Sequence, residues 1–255
     1  ALQKAITHSA LVDTTKKLKS ANQHLKILDA MKTEFLSIAS HQLRTPLSVI
    51  RGYVDLIADG TYGKISQVQS EVVQKISGSV ASLIELVNQL LNVSRIESGK
   101  MVVSVRPISL MPVCAEVVSF LSIKAQERGL QLSCVERSLP QVTADPDKLR
   151  EVMVNLVENA LKYTDQGSIT IDFQDEPKYV RVIVQDTGIG LDKPGIDKLF
   201  QKFSRVEATS GNHPGTGLGL YVCKRLVEAM GGEIKASSKG LGQGSTFSFS
   251  LKKVA

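Results

Sequence analysis

Apolar residues recur at helical spacing through most of the first hundred positions, and the period then changes. Leu11, Leu18 and Leu25 stand seven apart, with Ala21 and Leu28 near the complementary positions; Leu36, Leu43, Ile50 and Ile57 continue the spacing, with Leu47 and Val54 beside them. Such a repeat predicts a coiled coil feeding a helix that ends near Asp59. Asp59-Gly60-Thr61-Tyr62-Gly63 reads as a turn. Ile76, Leu83 and Leu90, alternating with Val73, Val80 and Val87, predict a second helix from Gln67 to Glu97. Two helices joined in this way form a hairpin whose apolar seam is too wide for one copy to cover. Two hairpins are therefore expected to pair as a four-helix bundle in a homodimer.

Beyond Ser98-Gly99-Lys100 the pattern interleaves strands and helices. Strands are expected at Val103 to Arg106, Leu130 to Val135, Ser168 to Phe173, Tyr179 to Gln185, Glu233 to Ser237 and Ser245 to Ser250. Helices are expected at Leu110 to Glu127, after Asp145-Pro146-Asp147, where aspartate caps and proline opens the first turn, and at Gly219 to Met230. This alternation predicts an α/β sandwich. The expected division is a coiled-coil signalling helix over 1–34, a hairpin over 35–99 and the α/β domain over 100–255.

Composition narrows the setting. With 255 residues, 42% of them hydrophobic, the chain has enough apolar material for a real core. No run of side chains approaches the ~18 apolar residues of a membrane span, and no signal-peptide pattern opens the sequence, so no membrane segment is expected in this chain. It starts at Ala1 partway into a helical pattern, which suggests a piece of a longer receptor with a sensor domain upstream. Cys114, Cys134 and Cys223 sit singly and read as buried free thiols, suited to a reducing cytoplasm. The net charge of +6 is spread without a basic stripe or interleaved aromatics, so nucleic acid is not an expected partner.

One residue breaks the helical pattern usefully. At about 100° per residue, His41 points nearly opposite the Leu43 stripe and faces solvent, and Thr45 lies about 40° round on the same face. A neutral imidazole nitrogen is a nucleophile that can accept a transferred group. Pro46 removes a backbone hydrogen bond one turn on and is expected to kink the helix. Downstream come Asn155-Leu-Val-Glu-Asn159-Ala-Leu-Lys162-Tyr163, Asp186-Thr-Gly188-Ile-Gly190, Phe200-Gln-Lys202-Phe203 and Gly215-Thr216-Gly217-Leu218-Gly219.

With the His41 segment upstream, this order resembles the H, N, G1, F and G2 boxes of the sensor histidine kinases of two-component signalling, over about Phe35 to Leu251. The resemblance implies a dimeric four-helix bundle followed by an α/β sandwich of the GHKL (Bergerat) type. It implies ATP and Mg2+ as cofactors, His41 as phosphoacceptor and the receiver domain of a response regulator as partner. Asn159 matches the magnesium-holding asparagine. Asn155 stands where hydrolysing relatives carry a water-activating glutamate, which fits an enzyme that does not spend ATP on water. Asp186 matches the carboxylate that recognises adenine, with Gly188 and Gly190 allowing close backbone approach. Lys162, Lys202 and Arg205 are placed to meet phosphates, Tyr163 to line the nucleotide, and Gly215, Thr216, Gly217, Leu218 and Gly219 to present amides at a helix start. The stretch from Asp192 to Thr216 is expected to act as a lid anchored by Phe200 and Phe203; His213 within it has no assigned partner.

One position departs from the family. An acidic residue commonly follows the histidine, whereas here it is Gln42, whose amide is too weak a base to take the ring proton. Gln42 and Thr45 also resemble the family's phosphatase motif. Two other readings stay open: a nucleotide-sensing regulatory dimer without kinase activity, and a mechanical ATPase of the GHKL class.

Overall fold

The structure, a computed structural model, describes residues 19, 20, 22, 23, 28, 31, 38–40, 42–204 and 216–254, and forms two units, Ala1–Met101 and Val102–Ala255. Apart from six helical residues, the expected coiled coil over 1–34 lies outside the described residues, as does His41.

In the first unit, helix α1 covers 42–58 and continues through Pro46. It closes on Gly60 at φ 74, with Gly60 N–H donating to Ile57 O and Thr61 N–H to Leu56 O. This pair of bonds is the left-handed glycine closure that satisfies the last carbonyls of a helix. Helix α2 (Gln67–Glu97) starts from a capping box, in which the Ser66 hydroxyl accepts from Gln69 N–H and the Gln69 side chain accepts from Ser66 N–H. The Arg44 guanidinium hydrogen-bonds the Asn88 side-chain oxygen. That bond sets an antiparallel register in which the buried Leu47 and Val54 face the stretch holding the buried Val87 and Val80. Leu43 and Ile50 on α1 and Ile76 and Leu83 on α2 keep 44–50% of their surface exposed. An apolar stripe therefore runs along the hairpin outside its own seam.

By length and composition alone α2 is apolar enough to cross a membrane. Counting unbroken apolar runs misses it because serines and asparagines interrupt the run, while Glu85 is the only charge between positions 76 and 94.

The second unit contains strand β1 (Arg106–Ile108), helix α3 (Leu110–Glu127), strands β2 (Gln131–Cys134) and β3 (Val142–Ala144), and helix α4 (Pro146–Tyr163). Strands β4 (Ser168–Asp175) and β5 (Tyr179–Asp186), helices α5 (Lys193–Lys198) and α6 (Gly219–Ala229), and strands β6 (Ile234–Ser237) and β7 (Thr246–Lys252) follow. Five strands form one sheet in the order β2-β4-β5-β7-β6, with only β2 and β4 parallel. Alternation places Ile169, Ile171 and Phe173, Val180, Val182 and Val184, and Phe247, Phe249 and Leu251 on the buried face. Helices α3, α4 and α6 cover it with Val117, Leu121, Leu149, Val152, Met153, Leu156, Val222 and Leu226, giving an α/β sandwich.

Two strands differ from expectation. The first strand begins at Arg106, not Val103, because it pairs antiparallel with the three-residue β3, which the sequence pattern did not reveal. Ser104 N–H is instead held by the Asp145 carboxylate at 2.8 Å.

Candidate functional site

Helix α4 carries the first part of the site. Asp145 caps it, with Oδ1 accepting from Asp147 and Lys148 N–H at 3.0 and 3.2 Å and Oδ2 accepting from Ser104 N–H. Burial pushes this carboxyl up, but the backbone donors of Ser104, Lys148 and Asp147, with the Lys148 charge, outweigh it and hold the group below the usual aspartate range. The cap fixes the start of a helix whose Leu149, Val152, Met153, Leu156, Val157, Ala160 and Leu161 are buried. Asn155 and Asn159 lie one turn apart on its half-buried flank, and Asn159 Nδ2 donates to Asn155 Oδ1 at 3.1 Å. Asn155 also lies against the first residue of α6: a Cβ on Gly219 would sit 2.6 Å from Asn155 Nδ2. Lys162 and Tyr163 form the last turn, with Lys162 Nζ 5.0 Å from the Tyr163 ring centroid.

Strand β5 delivers Asp186 at its end, where 5% of its surface is exposed. Asp186 Oδ1 accepts from Gly188 N–H at 2.9 Å and Ser245 N–H at 3.1 Å. Burial pushes the carboxyl above its ordinary value despite these two donors. The carboxylate is thus pinned through one oxygen, and its second oxygen adds acceptor capacity. Gly188 is required by contact, since a Cβ would come 2.2 Å from Tyr163 O, and Ile189 N–H donates to that same carbonyl. The loop after Asp186 is therefore laid directly on the end of α4.

A second loop, over 238–245, holds this one from the other side; the sequence reading passed over it. Ser238 Oγ accepts from Leu191 N–H at 3.0 Å, Gly242 N–H donates to Ile189 O, and Gly244 N–H donates to Gly188 O. Gly190, at φ 69, abuts the Gly240 carbonyl, and Gly244 abuts Asp186 O. The triple Gly240-Leu-Gly242-Gln-Gly244 was the available signal.

The expected lid is more regular at its start than a glycine-rich stretch suggests. Asp192 caps α5 by accepting from Gly195 N–H at 2.9 Å, and the apolar anchor is the buried Leu199. Phe200 is half-buried, but Phe203 is 66% exposed, which corrects its expected anchoring role. Its backbone turns left-handed at φ 57, and a Cβ on Gly217 would meet Phe203 C at 2.7 Å. Lys202 Nζ lies 5.3 Å from the Tyr221 ring centroid, and Thr216 Oγ1 accepts from Leu218 N–H at 3.2 Å. Leu218 is buried at the N-cap of α6. Arg205, His213 and Gly215 lie outside the described residues.

The structure thus gathers Asn155, Asn159, Asp186, Gly188, Gly190, Gly217 and Gly219 into neighbouring segments of the second unit. In the first unit, Gln42 and Thr45 are exposed on α1. Among the described residues no group of three or more His, Cys, Asp or Glu side chains could hold a metal.

Comparison with known proteins gives two family matches. The His Kinase A (phospho-acceptor) domain matches residues 31–99, and the Histidine kinase-, DNA gyrase B-, and HSP90-like ATPase matches 144–255. The chain is 38% identical to Sensor protein GacS of Pseudomonas syringae pv. syringae, over 87% of this chain and 25% of that protein. It is 36% identical to the circadian input-output histidine kinase CikA of Synechococcus elongatus, over 93% of this chain and 32% of that protein. It therefore spans about a quarter to a third of the length of these relatives. Full-length ShkA, solved in complex with AMPPNP, superposes with a TM-score of 0.73 at 30% identity, over 87% of this chain and 46% of that one. With a phosphoacceptor hairpin domain followed by this ATPase-type sandwich, the chain belongs to the sensor histidine kinase family.

Proposed function

We propose that this chain is the catalytic portion of an ATP-dependent protein-histidine kinase, working as a homodimer on the cytoplasmic side of a longer receptor. The observation that carries the reading is Asp186. A buried carboxylate pinned through one oxygen by two backbone N–H groups presents an acceptor suited to the exocyclic amine of adenine. The AMPPNP bound by ShkA supports the same nucleotide class. Asn159 fits Mg2+, because its nitrogen is committed to Asn155 and a neutral amide oxygen suits a hard cation that keeps waters and phosphate oxygens. When bound, that ion neutralises charge on the triphosphate. Lys162, Tyr163 and Lys202, with Arg205, Gly215 and the amides from Thr216 to Gly219, hold the rest of the nucleotide.

In the transfer, a ring nitrogen of His41 forms a bond to the γ-phosphorus as the bond to the bridging oxygen breaks and ADP leaves with its electron pair. Positioning in line supplies most of the catalysis. The remaining ring proton passes to solvent, because Gln42 is not a base. The phosphoryl group then moves to an aspartate of a separate response regulator. Gln42 and Thr45, exposed one turn apart, support a second activity in which Thr45 positions water against the phosphorylated regulator. The exposed Leu43, Ile50, Ile76 and Leu83 supply the dimer seam.

Incubation with γ-labelled ATP tests the reading. Stoichiometric label that is acid-labile, alkali-stable and lost in His41→Ala is expected. Label retained in that variant, or steady ATP turnover without a phosphoenzyme, refutes it.

A further inference from the structure

Helix α6 carries an aromatic residue on the side where its other residues are wet. Tyr221, Arg225 and Glu228 follow one another at helical spacing on the stripe opposite the buried Val222, Cys223, Leu226 and Val227. Arg225 and Glu228 are exposed and pair with each other at 2.8 Å, whereas Tyr221 is half-buried. Lys202 lies over it, with Nζ 5.3 Å from the ring centroid, which is within the range of a cation–π contact.

The backbone that brings Lys202 to the ring is held one residue further on. Phe203 turns left-handed at φ 57, and Phe203 C and Ser204 O press so closely on Gly217 that a Cβ there would stand 2.7 Å from each. Gly217 lies two residues ahead of α6, so the segment bearing the lysine is anchored to the start of the helix whose first turn carries the ring. That is a costly place for a cation. The first amides of α6 have no side-chain cap, and a helix start carries a partial positive charge that repels an ammonium. The π face of Tyr221 offsets the repulsion, and an anion held between the ammonium and the amides reverses it.

We propose that Tyr221 is the positioning residue for Lys202: its ring holds the ammonium beside the first turn of α6, where the ammonium meets the phosphate chain of ATP. The inference rests on the reading of Lys202 and the α6 amides as phosphate ligands, and adds to it a residue that acts only through Lys202. A ring that places a charge needs its face and not its hydroxyl. Phenylalanine should therefore serve at position 221, whereas leucine covers the same ground without the quadrupole.

The test titrates the full chain and its variants with ATP and, separately, with adenosine, which has no phosphate for Lys202 to meet. From the size of a cation–π contact, Tyr221→Leu is expected to weaken ATP binding about three- to fivefold and to leave adenosine binding unchanged. Tyr221→Phe should bind ATP within about twofold of the wild type. In a Lys202→Ala background, Tyr221→Leu should cost nothing further, since the two residues act as one unit. A Tyr221→Leu loss of the same size in that background, an equal loss for adenosine, or no loss at all overturns the proposal and leaves the kinase reading standing. A wild type that binds neither ATP nor adenosine overturns that reading, and this inference with it.

Discussion

Asp186→Asn should separate nucleotide binding from stability. Asparagine can keep an oxygen where Asp186 Oδ1 accepts from Gly188 and Ser245, so the loop has no reason to collapse. The second position changes character, because an amide N–H now faces the donor amine of adenine. A hydrogen bond to a charged acceptor is worth about 1.5–3 kcal/mol, and an opposed buried donor adds a desolvation cost of about 1–3 kcal/mol. The two together come to about 2.5–6 kcal/mol, which corresponds to about 60- to 20,000-fold weaker ATP binding.

The effect on stability has the opposite sign. Burial raises the folded-state pKa of Asp186, so its stabilising contribution is present below the unfolded value near 3.9 and is lost as pH rises through the folded value. Above that folded value the ionised carboxylate is a burden on the fold, and asparagine removes it. Calorimetric titration with ATP and thermal melts of the same samples should therefore show collapsed affinity with an unchanged or higher Tm. Affinity within threefold of the wild type, or a loss of affinity matched by a fall in Tm of several degrees, would refute the reasoning.

Asp145→Ala removes the α4 cap and strands three backbone donors, so urea unfolding at pH 7 should show a loss of about 1–2 kcal/mol. Because the folded pKa of Asp145 is lowered, that difference should hold above the unfolded value and shrink as pH falls below about 4. Gly219→Ala places a methyl 2.6 Å from Asn155 Nδ2, which must move and break its bond to Asn159; ATP affinity should fall about tenfold with Mg2+ present and much less without it, by titration in each condition. Leu43→Asp with Ile50→Asp removes two exposed apolar side chains from each hairpin, each worth about 1.5–3 kcal/mol when buried in a dimer, and sedimentation should show a monomer at micromolar concentration. Gln42→Glu restores a proton acceptor beside His41 and should raise the autophosphorylation rate at least about tenfold, within the ~10²–10⁴ range of general-base catalysis, measured by labelled ATP.

The helices were legible to the residue where local chemistry marks their ends. Gln67–Glu97 and Leu110–Glu127 stand as the sequence predicts, since each is bounded by a serine N-cap position and a C-terminal glycine that closes the last turn. Strand β3 was not legible, because three residues give no period and the element exists through its pairing with β1. Helix α5 carried its signal in Asp192 and Pro194, but six residues inside a glycine-rich stretch read as loop. The site divides in the same way. Asn155, Asn159, Asp186 and the glycines were singled out as candidates from motif order, whereas the 238–245 loop acts through backbone groups and one serine hydroxyl, which leave little mark on a sequence.

The loops around Asp186 approach one another too closely to admit added side chains at three glycines. Gly188 meets Tyr163 O, Gly190 meets Gly240 O and Gly244 meets Asp186 O, each at a separation no Cβ could occupy. These contacts are between main chains, so no rotamer change can relieve an added methyl. The backbone around Asp186 is consequently fixed by its own contacts, and on the proposed reading an adenine there meets a set shape and one pinned carboxylate. Residues 42 and 45, by contrast, are exposed on a helix of the other unit, where substitution leaves packing alone. On the proposed reading, binding and transfer are thus encoded in physically different ways, the first by main-chain contacts in one unit and the second by exposed side chains in the other.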